Sequence, residues 1–376
     1  MKFSQRSNYL TSSPLYIFAK KVKELELKGG KIISLGLGEP YNDTPENIKK
    51  AGIEAIKANK THYNPAAGSL ELRKALGERH GVSSDRVLVS SGAKPFLGSI
   101  LWSLIDSGDV LYMAEPFYPP FLQIAQSCGA KVVLIETKKT GFQLTAESLE
   151  SSMAGNGHER KNSCMIINSP NNPTGITYDP NELAKIVKIC KENNTTIISD
   201  ECYSNFSPDK DFSLRKFDDD IIVINSLSKS HAMTGWRIGY AICPSELAVV
   251  AGRFLENYIG CPSSISDAAA IVALESQPLN DFTEQRKIVH DWLDANGISY
   301  SPSTGGIFIF PDFSSVMARK GIENSFDLAT YFLEQAGVAM TPGIAFGENF
   351  DAHLRISYCI ETEKLKEALN KMETAI

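Results

Sequence analysis

Several common signals are missing from this sequence of 376 residues. The seven cysteines are scattered, with no Cys-x-x-Cys pair and no His/Cys cluster at metal-ligand spacing, so we expect reduced thiols and no metal. No apolar run approaches the roughly 18 residues of a membrane span, and the amino terminus lacks the apolar core of a signal peptide. These absences predict a cytoplasmic protein that does not bind membranes.

Basic tracts are missing as well. The formal net charge is -6, and the lysines and arginines are dispersed along the chain. Nothing in this pattern attracts a phosphate backbone, so we expect no nucleic-acid partner. The composition that is present, 43% hydrophobic and 22% charged, is typical of a globular enzyme, and the chain is long enough for two domains.

Apolar runs alternate with helical patterns from about residue 85 to 245, which predicts an α/β fold with a mostly parallel sheet sandwiched by helices. The tail changes to an α+β pattern. We expect residues 1–40 and 276–376 to form a smaller α+β domain beside a large domain of residues 41–275. Three prolines in residues 115–121 predict a segment too rigid to be helical, and the polar residues 151–163 predict a surface loop with some helix. The apolar run 221–224 predicts a strand that ends in a loop carrying Lys229.

Polar residues follow several of the predicted strands. Asn172, Asp200, Ser226 and Lys229 all come just after apolar runs. Open α/β sheets bind ligands at the carboxyl ends of their strands, so we expect these side chains to meet in one site. Each also has a simpler explanation: a turn for Asn172, a helix cap for Asp200, and a solvated surface charge for Lys229.

A glycine turn, Ser91-Gly92, separates a predicted strand from a predicted helix over residues 93–105. The free backbone amides at Ala93 and Lys94 and the positive end of the helix dipole suit a phosphate group. The nucleotide-binding pattern Gly-x-x-x-x-Gly-Lys-Ser/Thr does not occur in the chain.

Four longer motifs carry a resemblance to a known family. They are Ser226-Leu227-Ser228-Lys229 with Arg237 eight residues after the lysine, Asn168-Ser169-Pro170-Asn171-Asn172-Pro173-Thr174-Gly175, Tyr63-Asn64-Pro65-Ala66-Ala67-Gly68, and His353-Leu354-Arg355-Ile356-Ser357. Nearly the whole chain resembles the class I and II aminotransferases of fold type I, most closely the aspartate aminotransferase-like branch. The resemblance implies a seven-stranded sheet, pyridoxal 5'-phosphate as cofactor, and a homodimer.

The resemblance also implies roles for individual residues. Lys229 would hold the cofactor as a Schiff base and shuttle a proton during a ping-pong exchange between an L-amino acid and a 2-keto acid. Asp200 would pair with the pyridine nitrogen, and Tyr203 would join Asn172 at the ring's 3-oxygen. The full set of implied cofactor-binding residues is Tyr63, Ala93, Lys94, Tyr118, Asn172, Asp200, Tyr203, Ser226, Lys229 and Arg237. Tyr63 would reach the phosphate of the partner subunit.

Substrate binding is implied for Arg355, Gly38 and Asn172. The Arg355 guanidinium would hold the α-carboxylate, with a salt bridge inside the small domain as the alternative. Some relatives that take dicarboxylates carry a basic residue where this chain has Trp102. Together with Tyr16 and Ile17, this tryptophan predicts that aromatic or aliphatic donors exceed aspartate, with glutamate or 2-oxoglutarate tolerated. Alternatively, Trp102 only packs in the helix core and another arginine contacts the second carboxylate.

Two other functions are compatible with this resemblance. The same scaffold and cofactor also support carbon-sulfur β-lyases. The fold also occurs as the effector-sensing module of some transcription regulators, but the residues before Gly36 leave no room here for their DNA-binding domain.

Overall fold

The computed structural model describes residues 2–154 and 162–376. Several of its helices begin at capping side chains: those of Ser13, Asp179 and Asn324 accept hydrogen bonds from backbone amides of the helices that follow them. No helix in these two stretches is long and apolar enough to cross a membrane. The α-helices are α1 (Pro14–Leu27), α2 (Glu46–Lys57), α3 (Leu70–His80), α4 (Lys94–Leu104), α5 (Pro119–Ser127), α6 (Ala146–Ala154), α7 (Pro180–Glu192), α8 (Leu227–Ser230), α9 (Ser245–Tyr258), α10 (Ser264–Glu275), α11 (Thr283–Ala295), α12 (Ser314–Lys320), α13 (Ser325–Ala336) and α14 (Thr362–Glu373).

The strands are short and mostly buried. They are β1 (Ile33–Ser34), β2 (Val87–Ser90), β3 (Val110–Glu115), β4 (Lys131–Glu136), β5 (Ser163–Asn168), β6 (Thr195–Asp200), β7 (Ile222–Ser226), β8 (Gly239–Ile242), β9 (Phe308–Ile309), β10 (Val338–Ala339), β11 (Thr341–Pro342) and β12 (Leu354–Ser357).

Seven of the strands form a central sheet in the order β2-β8-β7-β6-β5-β3-β4. Strand β8 runs in the opposite direction to the other six strands of this sheet. Strand β5 is buried along its whole length because helices cover both faces of the sheet. The predicted seven-stranded, mostly parallel α/β fold is therefore confirmed.

The terminal segments share a separate hydrophobic core. Phe18 and Val22 of α1 pack in one cluster with Val338 of β10, Leu354 of β12 and Leu365 of α14. Strand β1 pairs with β10, and β12 lies between β11 and β9. This arrangement agrees with a smaller α+β unit built from both termini, while the boundaries at residues 40/41 and 275/276 stay a prediction.

Two local predictions need correction. The segment 115–121 is helical from Pro119 onward, because proline is well tolerated in the first turn of a helix, where its missing N–H has no partner to lose. The loop predicted after β7 begins with the one-turn helix α8, which contains Lys229. Of the predicted loop 151–163, residues 151–154 belong to α6 and Ser163 starts β5, whereas residues 155–161 lie outside the described residues.

Candidate active site

A cavity of about 370 Å³ lies at the carboxyl edge of the central sheet, where that sheet meets β9, β12 and the segment after β1. It brings together residues that are far apart in the sequence. The predicted site residues that line it are Gly38, Ala93, Lys94, Tyr118, Asn172, Asp200, Tyr203, Ser226, Lys229, Arg237 and Arg355. The remaining predicted residue, Tyr63, lies outside this cavity.

The register of the sheet explains why the strand-end residues meet. Asp200, the last residue of β6, pairs with Asn168 of β5 on one side and with Ile224 of β7 on the other. The carboxyl ends of these three strands are therefore nearly level, and the residues that follow them reach the same cavity.

Lys229 is a partly buried amine that lines the cavity. Its Nζ donates a hydrogen bond of 2.5 Å to the carbonyl oxygen of Gly38. Burial lowers the pKa of the Lys229 ammonium below its ordinary value, while the neighbouring thiols of Cys359 and Cys202 act in the opposite direction. A lowered pKa increases the neutral, nucleophilic fraction of the amine at neutral pH, so the solvated-surface interpretation is wrong.

Asp200 is a buried carboxylate in the same cavity. Burial raises the pKa of this carboxyl group above its ordinary value, although its hydrogen bonds with Cys202 oppose the shift. Its Oδ1 accepts a hydrogen bond from the Cys202 amide at 3.1 Å, and the residues after it form a turn rather than an α-helix. A cationic partner in the cavity would favour its ionised form.

Arg355 is almost fully buried, with 3% of its surface exposed. Its Nη1 donates to Asn172 Oδ1 at 2.8 Å, and its Nη2 donates to the carbonyl oxygen of Gly36 at 2.7 Å. Its Nε has no hydrogen-bond partner among the described residues. Burial lowers the pKa of the guanidinium to about 10. The alternative prediction for Arg355 is a salt bridge within the small domain. The structure shows hydrogen bonds to neutral oxygens instead.

The amino terminus of α4 forms one end of the cavity. Lys94, its first residue, donates to the Tyr16 hydroxyl at 3.2 Å. Arg237 reaches the turn before α4 and donates to Ser91 O at 3.2 Å. A Cβ atom on Gly92 would lie 2.7 Å from Arg237 Nη2, so the glycine permits this close approach of the guanidinium.

The charges in the cavity are unbalanced. Four cationic side chains, those of Lys94, Lys229, Arg237 and Arg355, line it beside two carboxylates. Among the described residues, the hydrogen bonds of the four cations go to carbonyl, amide and hydroxyl oxygens. Such a cavity suits a ligand that carries both a phosphate and a carboxylate.

Sequence reasoning missed four residues that shape the cavity. The Thr234 hydroxyl donates to the carboxylate of Glu39, and Cys202 lies next to Asp200. Phe308 lies 4.2 Å from the Arg355 guanidinium carbon and so close to Gly38 that a Cβ there would be 2.6 Å from its ring. Glu39 directly follows the predicted residue Gly38, and Cys202 lies between the predicted residues Asp200 and Tyr203. Phe308 belongs to an apolar strand that carries no chemical signal.

Two residues named for substrate choice do not line the cavity. Trp102 is 53% exposed on α4 and packs against Phe254, with ring centroids 5.4 Å apart. Ile17 is also exposed. Trp102 therefore packs against α9 at the surface and not in a helix core, and the alternative that another arginine contacts a second carboxylate stays a prediction. The apolar lining comes instead from Leu15, Leu37 and Phe308, together with the ring of Tyr16.

Comparison with known proteins gives consistent matches over the whole chain. Residues 30–372 match the family model described as aminotransferase class I and II. The chain is 34% identical to a probable aspartate/prephenate aminotransferase of Aquifex aeolicus, covering 99% of this chain and 98% of the relative. It is 32% identical to a probable N-acetyl-LL-diaminopimelate aminotransferase of Bacillus subtilis, with 95% of each chain covered. The structure of Thermus thermophilus aspartate aminotransferase with maleate superimposes with a TM-score of 0.91 at 28% identity, covering all of both chains.

The reactivity of Lys229 can be tested directly. We expect borohydride reduction of the protein loaded with pyridoxal phosphate to fix a single label, because this lysine combines burial, a lowered pKa and a place in the cavity. Peptide mass spectrometry locates the label, and Lys229→Ala, which keeps the phosphate-binding residues, serves as the unlabelled control. A label on another lysine, or no label, would contradict the assignment.

Proposed function

This chain belongs to the aminotransferase class I and II family, and we propose that it moves an amino group between an L-amino acid and a 2-keto acid in two ping-pong half-reactions. Its cofactor is pyridoxal 5'-phosphate, on which this family depends. The observation that carries the proposal is the convergence of Lys229, Asp200 and Arg355 in one cavity.

The residues present fit this cofactor. The amino terminus of α4 with Lys94, Ser226 and Arg237 would hold the phosphate, since cations and free backbone amides favour a doubly charged anion. Asp200 would pair with the ring nitrogen. Tyr118 would lie against the ring face, and Tyr203 would donate to the ring's 3-oxygen beside Asn172.

When bound, the cofactor supplies an electron sink that stabilises negative charge at the substrate's α-carbon. Asp200 would keep a proton on the ring nitrogen, and its burial would strengthen this charge interaction. Lys229 would be the base that accepts the proton from the substrate's α-carbon and the acid that returns it. Burial favours the neutral amine that this proton transfer needs.

Arg355 orients the substrate. Its guanidinium would bind the α-carboxylate bidentately, because the planar fork matches a carboxylate and its Nε is still without a partner among the described residues. The loop at Gly38 lies beside it and would contribute a backbone amide. This contact is common to every amino acid substrate, so it gives orientation rather than side-chain selectivity.

The substrate side chain would meet an apolar surface. Leu15, Tyr16, Leu37 and Phe308 line the cavity, while the proposed roles of Lys94, Arg237 and Arg355 leave none of these cations for a second carboxylate. The names of the relatives differ on substrate, since one refers to aspartate/prephenate and another to N-acetyl-LL-diaminopimelate. We therefore propose aromatic or aliphatic donors, with glutamate or 2-oxoglutarate as the shared partner. A cytoplasmic location and a role in biosynthesis stay predictions.

A donor panel tests this substrate class. With 2-oxoglutarate as acceptor, we expect kcat/KM for phenylalanine or leucine to exceed that for aspartate by about tenfold or more, because a second carboxylate would be left unpaired on an apolar wall. Alanine serves as the donor without a large side chain, and N-acetyl-LL-diaminopimelate completes the donor panel. Prephenate, a 2-keto acid, is tested as the acceptor with glutamate as donor.

Two results would contradict the proposal, one about the preferred side chain and one about the type of reaction. Aspartate turning over faster than phenylalanine, leucine and alanine would disprove the apolar preference while leaving aminotransfer intact. Steady release of pyruvate and ammonia from a cysteine conjugate without a keto acid would indicate the β-lyase instead.

We also propose a homodimer in which Tyr63 completes the partner's site. The Tyr63 side chain is 99% exposed, at a turn closed by a 2.8 Å hydrogen bond from Gly68 N to Pro65 O. It lies beside Cys261, Pro262 and Ile265, outside the cavity that holds Lys229. Tyrosine is enriched at protein–protein interfaces relative to the rest of the surface, which supports a contact role for this exposed ring.

Hybrid dimers test the shared site. Mixing Lys229→Ala chains with Tyr63→Ala chains, each inactive alone, should restore about a quarter of the wild-type activity, because half of the dimers are hybrid and each hybrid has one intact site. Native mass spectrometry confirms that hybrids form. Hybrids without activity, or an active monomer by light scattering, would rule out the shared site.

A further inference from the structure

Two aromatic rings contact the Arg355 guanidinium. Its central carbon is 4.2 Å from the Phe308 ring centroid and 5.0 Å from the Phe346 centroid. Both rings are fully buried. Since both rings hold the guanidinium through cation–π contacts, a displacement of either ring would move the cation or leave it less firmly held.

Phe346 stands on a short segment that is tied to the central sheet. Its carbonyl oxygen accepts a hydrogen bond from the Phe117 amide at 3.2 Å. Its ring packs edge-on against Phe310, with centroids 5.5 Å apart. The next residue is Gly347, at φ +140°, a conformation that side chains rarely adopt.

Glu115, the last residue of β3, supports this segment from behind. It is 5% exposed, and its Oε2 accepts a hydrogen bond from Asn349 Nδ2 at 2.8 Å. Its Oε1 lies so close to Gly347 that a Cβ atom there would be 2.5 Å away. The carboxylate of Glu115 therefore contacts Gly347 and accepts a hydrogen bond from the side-chain amide of Asn349.

We infer that Glu115 is a positioning residue that fixes Arg355 for the substrate carboxylate by holding the Gly347–Asn349 segment and, through it, the Phe346 ring. This inference rests on the proposed function, in which Arg355 binds that carboxylate. Glu115 does not line the cavity. Its effect should therefore appear in substrate binding rather than in proton transfer at Lys229.

Steady-state kinetics of the holoenzyme test this role. In Glu115→Ala the ring and the guanidinium lose their support, so we expect KM for the amino acid donor to rise about tenfold or more while kcat changes less than about threefold. Glu115→Gln keeps the acceptor for Asn349 and the volume beside Gly347, and it should restore KM to near the wild-type value. Asn349→Ala removes the same hydrogen bond and should also raise KM. In the double variant Glu115→Ala/Asn349→Ala, the two effects on KM should be less than additive because both changes remove the same interaction.

Binding of a matched amine separates positioning from general damage. An amine that lacks only the α-carboxylate of the donor does not use Arg355, so its affinity, measured by spectral titration of the holoenzyme, should be the same in wild type and Glu115→Ala. Glu136→Gln, on the neighbouring strand at the position paired with Glu115, should leave both ligands unaffected. The melting temperature of each holoenzyme monitors folding.

The results that would overturn the inference are specific. Glu115→Gln behaving like Glu115→Ala, equal losses for the amine and the amino acid, or a loss confined to kcat would each exclude a positioning role. Arg355→Ala is the reference variant: if it leaves KM unchanged, the proposed carboxylate anchor fails. If it raises KM whereas Glu115→Ala does not, only the inference about Glu115 fails.

Discussion

Four basic side chains converge on one cavity beside two carboxylates, and the buried one, Arg355, sets the constraint on which the rest of the site depends. Taking a cation out of water costs several kcal/mol unless an opposite charge or good hydrogen bonds replace its hydration. In the described chain Arg355 has hydrogen bonds from both terminal nitrogens but none from Nε. The cavity therefore becomes electrostatically complete only with anionic ligands, which a phosphate-bearing cofactor and an α-carboxylate provide.

The two parts of the fold contribute different halves of this site. The central sheet supplies Asp200 and Lys229 from the level carboxyl ends of β6 and β7, and their positions follow from the strand register. The smaller unit supplies Arg355 from β12 and Phe308 from β9. Because a substrate must contact both halves, its orientation depends on contacts between them, such as those made by Glu115.

Much of the central sheet could be predicted from the sequence because its strands are continuous apolar runs with glycine, proline or polar residues at their ends. Asn172 and Asp200 come just after such apolar runs, which predicted that both side chains reach one common cavity. The start of α5 at Pro119 was missed because paired prolines suit a rigid loop as well as a first helical turn.

Positions set by long-range packing were beyond the sequence. The spacing between Lys94 and Trp102 on α4 gives no indication that the indole faces Phe254 instead of the cavity. Phe308 and Phe346 carry no chemical pattern, and they reach Arg355 only because β9 and the segment before Gly347 fold against β12. Tertiary contacts of this kind are not encoded in local periodicity.

The central claim is that the charge of Asp200 makes the bound cofactor an effective electron sink. The most direct test is the single-turnover rate of the amino acid half-reaction in Asp200→Asn, with Glu201→Gln as control because the Glu201 carboxylate does not line the cavity. The account predicts that Asp200→Asn folds and binds the cofactor but reacts about a hundredfold or more slowly, whereas Glu201→Gln stays within a few-fold of wild type. A near-normal half-reaction rate in Asp200→Asn would contradict the account.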